Sequence, residues 1–541
     1  MTVTAELGAC LLVTLSAGWG FFLVRRWRRR GLGDRLLALV MPTAALVAAA
    51  CMIRHILYAP FPAWNAARLA TTAALARGLP IYAGVDHGVL LSSLHTPLSS
   101  LAYLPATVAA NPTVAVILGV LLSLAFTLGP AIWVLTAGED QVSDAKFIRT
   151  AAVVCFALIC SANFALNYTV FWIRADNPAI GLVAGAGAVL ALRRNRSARG
   201  PLLLSGLLAI LAVWTKQTYT PALAALLLYV LLLDGWRILV RYCVSMLVAA
   251  ISVSVVVLLF FPWREMALNT FLVPSLHPWK EVSCLAGAVA ACSHVTDLAN
   301  KLKTFSVVGW QLLDSCSLLI LAGLPLVFVE LAAYGRRHGL RTWVERNRWF
   351  VFTLLALVLM PVSIVNEAKV GGEPSSYAPP VYFLSLSVAL LLIRASVRPA
   401  TDSLSRSLLA TLIVLCACTG ARALPSLPRI ARELPSNPQQ VAYECARAHP
   451  GEVYFPWNPL SSLMAEGKVY HFEFAIYDRD LAGLPPSLQH FQEGIPAKLR
   501  NIAFPPNPHE WQPRLVLRYL PDCAPQAADE RWRGWSLYRC P

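Results

Sequence analysis

The chain has 541 residues, 57% of them hydrophobic and only 14% charged, with a mean hydropathy of +0.59. Soluble domains carry roughly 25% charged residues, so this composition excludes a soluble globular enzyme and indicates a multi-spanning membrane protein. The net charge of +16 does not call for a nucleic-acid partner, because most of the arginine falls in short turns between apolar runs, as the positive-inside bias requires.

The first apolar run, 7–24, is followed by the basic cluster RRWRRR at 25–30. A signal peptide has the opposite order, so we read a first span at 6–24 with the N-terminus outside. Further spans are expected at 36–57, 113–136, 148–167, 178–193, 201–215, 219–234, 240–261, 306–332, 349–366, 381–395 and 407–424, twelve in all. The runs at 178–193, 201–215 and 381–395 fall short of the usual ~17-residue minimum.

Lysine and arginine fix the orientation. Arg35, Lys146 and Arg149, Arg193 to Arg199, Arg237 and Arg241, Arg336 to Arg348, and Arg394 to Arg406 share alternate connections with the 25–30 cluster. That side is cytoplasmic. The first outer loop (58–112), 168–177, 216–218, the larger outer loop (262–305) and 367–380 then lie outside. This requires LSSLAYLPATVAA, bracketed by Pro97 and Pro112, to be a helix at the outer interface. WREMALN, beginning at Trp263, is expected to be another, with an aromatic anchor.

The transmembrane part is expected to end at 424. Residues 425–541 are richer in proline and charge and form a small mixed α/β extracytoplasmic domain. In it EVYFPWNPLSSLM reads as a strand and turn leading into a short helix, and RLVLRYL and WSLYRC read as strands. The fold class is thus an all-α polytopic membrane protein with a mixed C-terminal appendage. Of 13 cysteines, Cys284 with Cys292 and Cys523 with Cys540 are spaced so that at least one pair is expected to be bonded outside.

Polar groups collect in the outer loops. The first loop holds Asn65, Arg68, Arg77, Asp86, His87 and His95, and Arg174-Ala-Asp176-Asn177 heads a later span. Lys216 and Gln217 end another run, and Lys369-Val-Gly-Gly-Glu373 precedes Tyr377. Ionisable residues at membrane depth are costly and usually functional. Each has a bland alternative: Arg174 and Asp176 pairing with each other, Lys216 snorkelling, Asp86 serving as a turn residue. Their joint placement on one face suits a reaction with an anionic, lipid-linked substrate.

In this order the features resemble the multi-spanning GT-C glycosyltransferases, the superfamily of protein O-mannosyltransferases and bacterial aminoarabinose transferases. The carriers are ARGLPIY (76–82), HTPLSSL (95–101), RADNPAIGL (174–182), WTKQT (214–218) and AKVGGEPSSYAPP (368–380). The resemblance implies an inverting transferase that moves a sugar from a polyprenyl-phosphate donor to an acceptor outside the cytoplasmic membrane. The partners implied are that donor, membrane lipid and an acceptor glycan, lipid or protein, with no cofactor. It implies basic groups on the donor phosphate (Lys216, Lys369, Arg174, His95), substrate contacts at His87, Gln217, Asn65 and Tyr377, and an acidic base. The family's first-loop acid is missing: FPAWNAARL carries Asn65 where a carboxylate is expected, and an amide accepts no proton at neutral pH. The role passes to Asp86, Asp176 or Glu373, or the protein is not a working transferase. The only Asp-x-Asp singled out, in YDRD (477–480), belongs to the outer domain, so no metal is expected. The rival classes are a transporter or flippase, and a non-catalytic binder of lipid-linked sugar.

Overall fold

The computed structural model describes residues 32–541 apart from 92, 138–144, 194, 196–197, 286–293, 335–338, 398–400, 506–514, 528–531 and 533. The expected span at 6–24, its basic cluster and the Cys284–Cys292 pairing lie outside what is described.

Among the described residues, nine helices are long and apolar enough to cross a membrane, and Asp176–Leu192 and Arg199–Thr215 are shorter apolar helices. Each expected span after the first meets one of these. The protein is therefore a helical, multi-pass membrane protein. Helix starts follow local chemistry. Pro112–Thr136 begins on a proline, and the Asn111 side chain accepts from Val114 N at 2.9 Å, which satisfies an otherwise orphaned donor. The helix expected at 306–332 begins earlier, at Leu298, where Asn300 N donates to Asp297 at 2.9 Å. The added two turns carry Lys301 and Lys303.

The run read as short, 381–395, lies within an apolar stretch at Pro374–Ser396 that is 83% buried inside the protein. It is the central helix. Trp236–Phe260 is only 17% buried and turns Leu259 and Phe260 outward, as a helix on the lipid-facing rim should. Against the centre, Asp176–Leu192 packs with its small residues inward. A Cβ on Gly181 would come within 2.3 Å of the Phe126 carbonyl oxygen, so glycine there permits the close approach to Pro112–Thr136.

The first outer loop is more structured than its sequence suggested. Ala63–Ala76 is a helix with one face in the core. Leu98–Leu101 and Leu104–Val108 are single turns of helix and do not span. Trp263–Ala267 is a short helix with Trp263 exposed.

In the C-terminal part, Val453–Tyr454 pairs parallel with Asn501–Phe504, which pairs antiparallel with Ser536–Arg539, and Ala524–Pro525 forms the other edge. Pro459–Glu466 is the expected short helix. RLVLRYL is not a strand: residues 515–517 are helical. Cys523 and Cys540 are disulfide-bonded. This part shares an apolar core with the first outer loop, where Ala67, Ala83 and Leu90 pack with Trp457, Phe472 and Ile476. Trp64 meets Trp457 and Phe474 edge-on.

Candidate active site

The Ala63–Ala76 helix, the 94–103 turn, the head of Asp176–Leu192, residues 216–218 and 270–277, and the end of Phe350–Ala368 with the turn after it converge on one cavity of about 410 Å³. Phe474 of the C-terminal part completes its wall. Its charged lining is built from pairs.

At its centre Glu373 accepts from Arg68 Nη2 at 3.1 Å and from Arg174 Nη1 at 2.5 Å, and Arg174 Nη1 also reaches Ser375 Oγ at 2.7 Å. The Arg68 guanidinium stacks on Trp64, 4.8 Å from its centroid, and that of Arg174 on Tyr168 at 4.4 Å. Such stacking suits arginine, whose plane is weakly hydrated. Arg174 is 5% exposed. Its Nε and Nη2, and Nη1 of Arg68, are buried without a hydrogen-bond partner among the described residues. Two guanidinium groups thus share one carboxylate and keep unused donors. Burial raises the Glu373 carboxyl, but Arg174 and then Arg68 more than offset this and hold it below the ordinary range.

Lys216 Nζ donates to both Asp176 carboxylate oxygens at 2.8 Å, and Tyr219 Oη donates to the same carboxylate at 3.2 Å. Gln217 ties down two walls, donating to Leu94 O at 3.2 Å and Thr270 O at 2.7 Å. Lys369 Nζ donates to Pro274 O and Ser275 O at 2.9 and 3.1 Å. Behind it, Lys280 Nζ bonds Glu367 at 3.0 Å and Gly372 O at 2.9 Å, fixing the 369–373 turn. Gly371 there has φ +87°, a conformation side chains disfavour. A Cβ on Gly372 would lie 2.4 Å from Asn366 O, so neither glycine is replaceable without moving Glu373.

His95 presents a buried Nδ1 with no hydrogen-bond partner among the described residues. Burial, then Lys216, lowers its ring to about 3, so it is neutral and weakly basic.

The cavity therefore gathers Asp176, Glu373, Lys216, Lys369, Arg174, His95 and Gln217 of the expected residues. The other four stand elsewhere. Asp86 and His87 are exposed in a tight turn closed by Gly84 N donating to His87 O at 2.9 Å, and neither lines the cavity. Asn65 is 1% exposed and is a tie: its Nδ2 donates to Ala59 O and its Oδ1 accepts from Ile173 N, both at 2.9 Å. Tyr377 turns away and donates to Gln311 at 3.0 Å.

Arg68, named among the polar groups of the first loop but given no role, and His277, which was not named, also belong to the wall. Arg68 had a signal, since Trp64, Arg68 and Thr72 recur at helical spacing on one face of an alanine-rich helix. His277 had none in its local sequence.

No family model matches the chain, and no curated protein matches it. Solved structures do. ArnT from Cupriavidus metallidurans bound to undecaprenyl phosphate aligns with a TM-score of 0.51 at 12% identity, covering 91% of this chain and 97% of that one. Apo ArnT aligns with a TM-score of 0.50 at 13% identity, with the same coverage. At such identity the likeness shows the fold alone, an ArnT-like fold in keeping with the resemblance drawn from the sequence.

Proposed function

We propose that the protein is a glycosyltransferase that takes a sugar from a polyprenyl-phosphate donor and passes it, with inversion, to an acceptor on the outer face of the cytoplasmic membrane. The observation that carries this is the Arg68–Arg174 pair: two stacked guanidinium groups with unused donors in the wall of a cavity, in a bundle of apolar helices. Planar, bidentate cations are suited to phosphate. A protein of the same fold is solved with undecaprenyl phosphate, which supports a lipid-phosphate ligand.

In this reading the donor phosphate takes Arg68, Arg174 and Ser375, competing with Glu373. The acceptor oxygen attacks the anomeric carbon from the face opposite the phosphate. The bond between that carbon and the phosphate oxygen breaks, and the leaving phosphate keeps its charge balanced by the fixed arginines. Lys216 and Asp176 hold each other and, with Gln217, shape the sugar pocket. Lys369 positions the 369–373 turn, His95 offers its free Nδ1 to a sugar hydroxyl, and Asp86 has no part. The active face is extracytoplasmic, as the arginine distribution supports, with twelve spans and residues 425–541 outside.

The test is turnover. Purified protein is incubated with a panel of polyprenyl-phosphate sugars carrying labelled sugar, and binding of undecaprenyl phosphate is measured beside it. Release of sugar from one donor class supports the reading. Binding without release from any donor makes the protein a non-catalytic receptor, and neither binding nor release ends the proposal.

A further inference from the structure

The carboxylates in the cavity wall are committed. Asp176 is held by Lys216 and Tyr219, and Glu373 by two arginines. Ion-paired carboxylates are poor proton acceptors. Position 65 is an amide in a structural role, and His95 is held too far down by burial and Lys216 to serve. The acceptor hydroxyl still needs a base within hydrogen-bond reach.

A different pair stands at the edge of the same cavity. His277 lines it. Its Nε2 is 3.2 Å from the Asp478 carbonyl oxygen and 3.8 Å from Asp478 Oδ1. Asp478 is 2% exposed, and neither of its carboxylate oxygens has a hydrogen-bond partner among the described residues. Buried carboxyl oxygens are normally satisfied, so this one is unusual. The ring's other nitrogen faces the glycine turn. A Cβ on Gly371 would stand 3.7 Å from His277 Nδ1 and 4.0 Å from Asp478 Oδ1, so the missing side chain leaves the pair open toward the Glu373 turn.

Resting on the transferase reading above, we propose that His277 is the general base toward the acceptor hydroxyl and that Asp478, from the C-terminal part, is the positioning residue that holds its ring. The Asp478 carbonyl oxygen 3.2 Å from Nε2 holds the proton there, so that Nδ1 is the nitrogen that accepts. The hydroxyl proton passes to Nδ1 as the acceptor oxygen bonds the anomeric carbon, and the phosphate leaves with the electrons of the broken bond. The imidazolium so formed faces Asp478, whose Oδ1 lies 3.8 Å from Nε2.

The surrounding charges fit this. Burial lowers the His277 ring, the Asp478 backbone partly offsets that, Lys369 lowers it further and the Val370 backbone raises it. Burial pushes the Asp478 carboxyl well up, Glu373 adds to that and Arg479 opposes it. Arg479 itself is turned away, donating to Ala83 O, Gly84 O and Asn269 Oδ1. The pair is thus a lowered ring beside a raised carboxyl, with Nε2 3.8 Å from Asp478 Oδ1.

The experiment uses the full-length protein with the donor found by the turnover panel. His277→Gln should lower sugar release about 10²–10⁴-fold and leave undecaprenyl phosphate binding unchanged, and free imidazole should restore part of the activity of His277→Ala. Asp478→Asn should shift the pH profile of release and lower the His277 ring titration, followed by NMR, by at least about one unit. Near-normal release by His277→Gln, or loss of undecaprenyl phosphate binding with it, overturns the base. An unmoved ring titration in Asp478→Asn overturns the pair. A wild-type protein that releases no sugar from any donor overturns the transferase reading and this inference together, whereas active wild type with equally active His277→Gln removes this inference alone. Should His277→Gln fail to fold, imidazole rescue of His277→Ala decides, and no rescue counts against the base.

Discussion

Lys216 Nζ sits 2.8 Å from both carboxylate oxygens of Asp176, joining the end of Arg199–Thr215 to the head of Asp176–Leu192. The carboxylate also lies in the first turn of its own helix, where the helix dipole favours negative charge. A lysine engaged this way is not free to hold a phosphate, which is why we propose the arginines for that role. The sequence pattern alone gives both kinds of cation the same weight.

Breaking that pair should therefore be felt first in stability. Lys216→Met leaves Asp176 buried beside only Tyr219, and losing one partner of a buried pair costs about 3–5 kcal/mol. Thermal unfolding in detergent should show a marked drop, largely recovered in Lys216→Met/Asp176→Asn. An unchanged melting temperature in the single variant would mean that the pair contributes nothing.

Glu373 and the donor phosphate should compete. Arg174→Lys removes the fork and the stacking on Tyr168, so undecaprenyl phosphate affinity should fall. A hydrogen bond to a charged group contributes about 1.5–3 kcal/mol, or roughly 10- to 150-fold. Glu373→Gln should act oppositely, weakening the apo protein but raising affinity for the phosphate, so that ligand raises its melting temperature more than it raises that of the wild type. Calorimetric titration of both variants checks the two signs. Equal affinity in all three proteins would remove the phosphate from this site.

Much of this was legible because the relevant signals are local. Apolar runs mark helices wherever the bilayer demands satisfied backbone, so even the short runs at 178–193 and 201–215 meet helices, Asp176–Leu192 and Arg199–Thr215. Arg174, Asp176, Lys216 and Glu373 stand at the ends of such runs, where an ionisable residue is conspicuous. What was missed lies in contacts between distant segments. His277 and Asp478 are unremarkable in their own surroundings and become a pair only when the C-terminal part closes on the outer loops. Asp86 was favoured by its nearness to ARGLPIY, but chain proximity does not set direction, and the turn at Gly84 carries it out to solvent. The Ala63–Ala76 helix was read as loop because its alanine-rich sequence has little apolar periodicity. RLVLRYL alternates as a strand does, yet the sheet is completed by Asn501–Phe504 instead, since a short alternating run also suits a helical turn.

Asn65 gives a sharp test of that distinction. If this position kept a latent catalytic role, Asn65→Asp would raise activity. We expect the reverse. The new carboxylate would lose the Nδ2 donor and face the Ala59 carbonyl oxygen across 2.9 Å, leaving two buried acceptors opposed. An unsatisfied buried group costs about 1–3 kcal/mol, more when charged, so the melting temperature should fall with no gain in sugar release. Asp86→Asn, by contrast, should change neither, because its side chain is exposed and outside the cavity.

The last expectation concerns acid. His95 is neutral in the folded protein with its ring lowered to about 3 by burial, then by Lys216, whereas an unfolded histidine titrates near 6.5. Between these values the unfolded chain binds the extra proton and the folded one does not, so stability falls as pH falls. The contribution is fully present above about pH 6.5 and is withdrawn progressively below it. Glu373 acts in the same direction but later. Its folded carboxyl is depressed by Arg174 and Arg68, so its contribution is present above the unfolded value of about 4.3 and is lost as pH drops through the folded one. Unfolding temperature followed from pH 8 to 4 should therefore begin to decline near 6.5, well before the carboxylates titrate. His95→Gln should lessen the decline between about 6.5 and 5, to which His471 and His277, also lowered by burial, contribute too, while leaving the steeper loss near 4. A curve with no slope above pH 5 in the wild type, or the same slope in His95→Gln, would show that His95 is solvated or paired and does not face the cavity as a buried neutral ring.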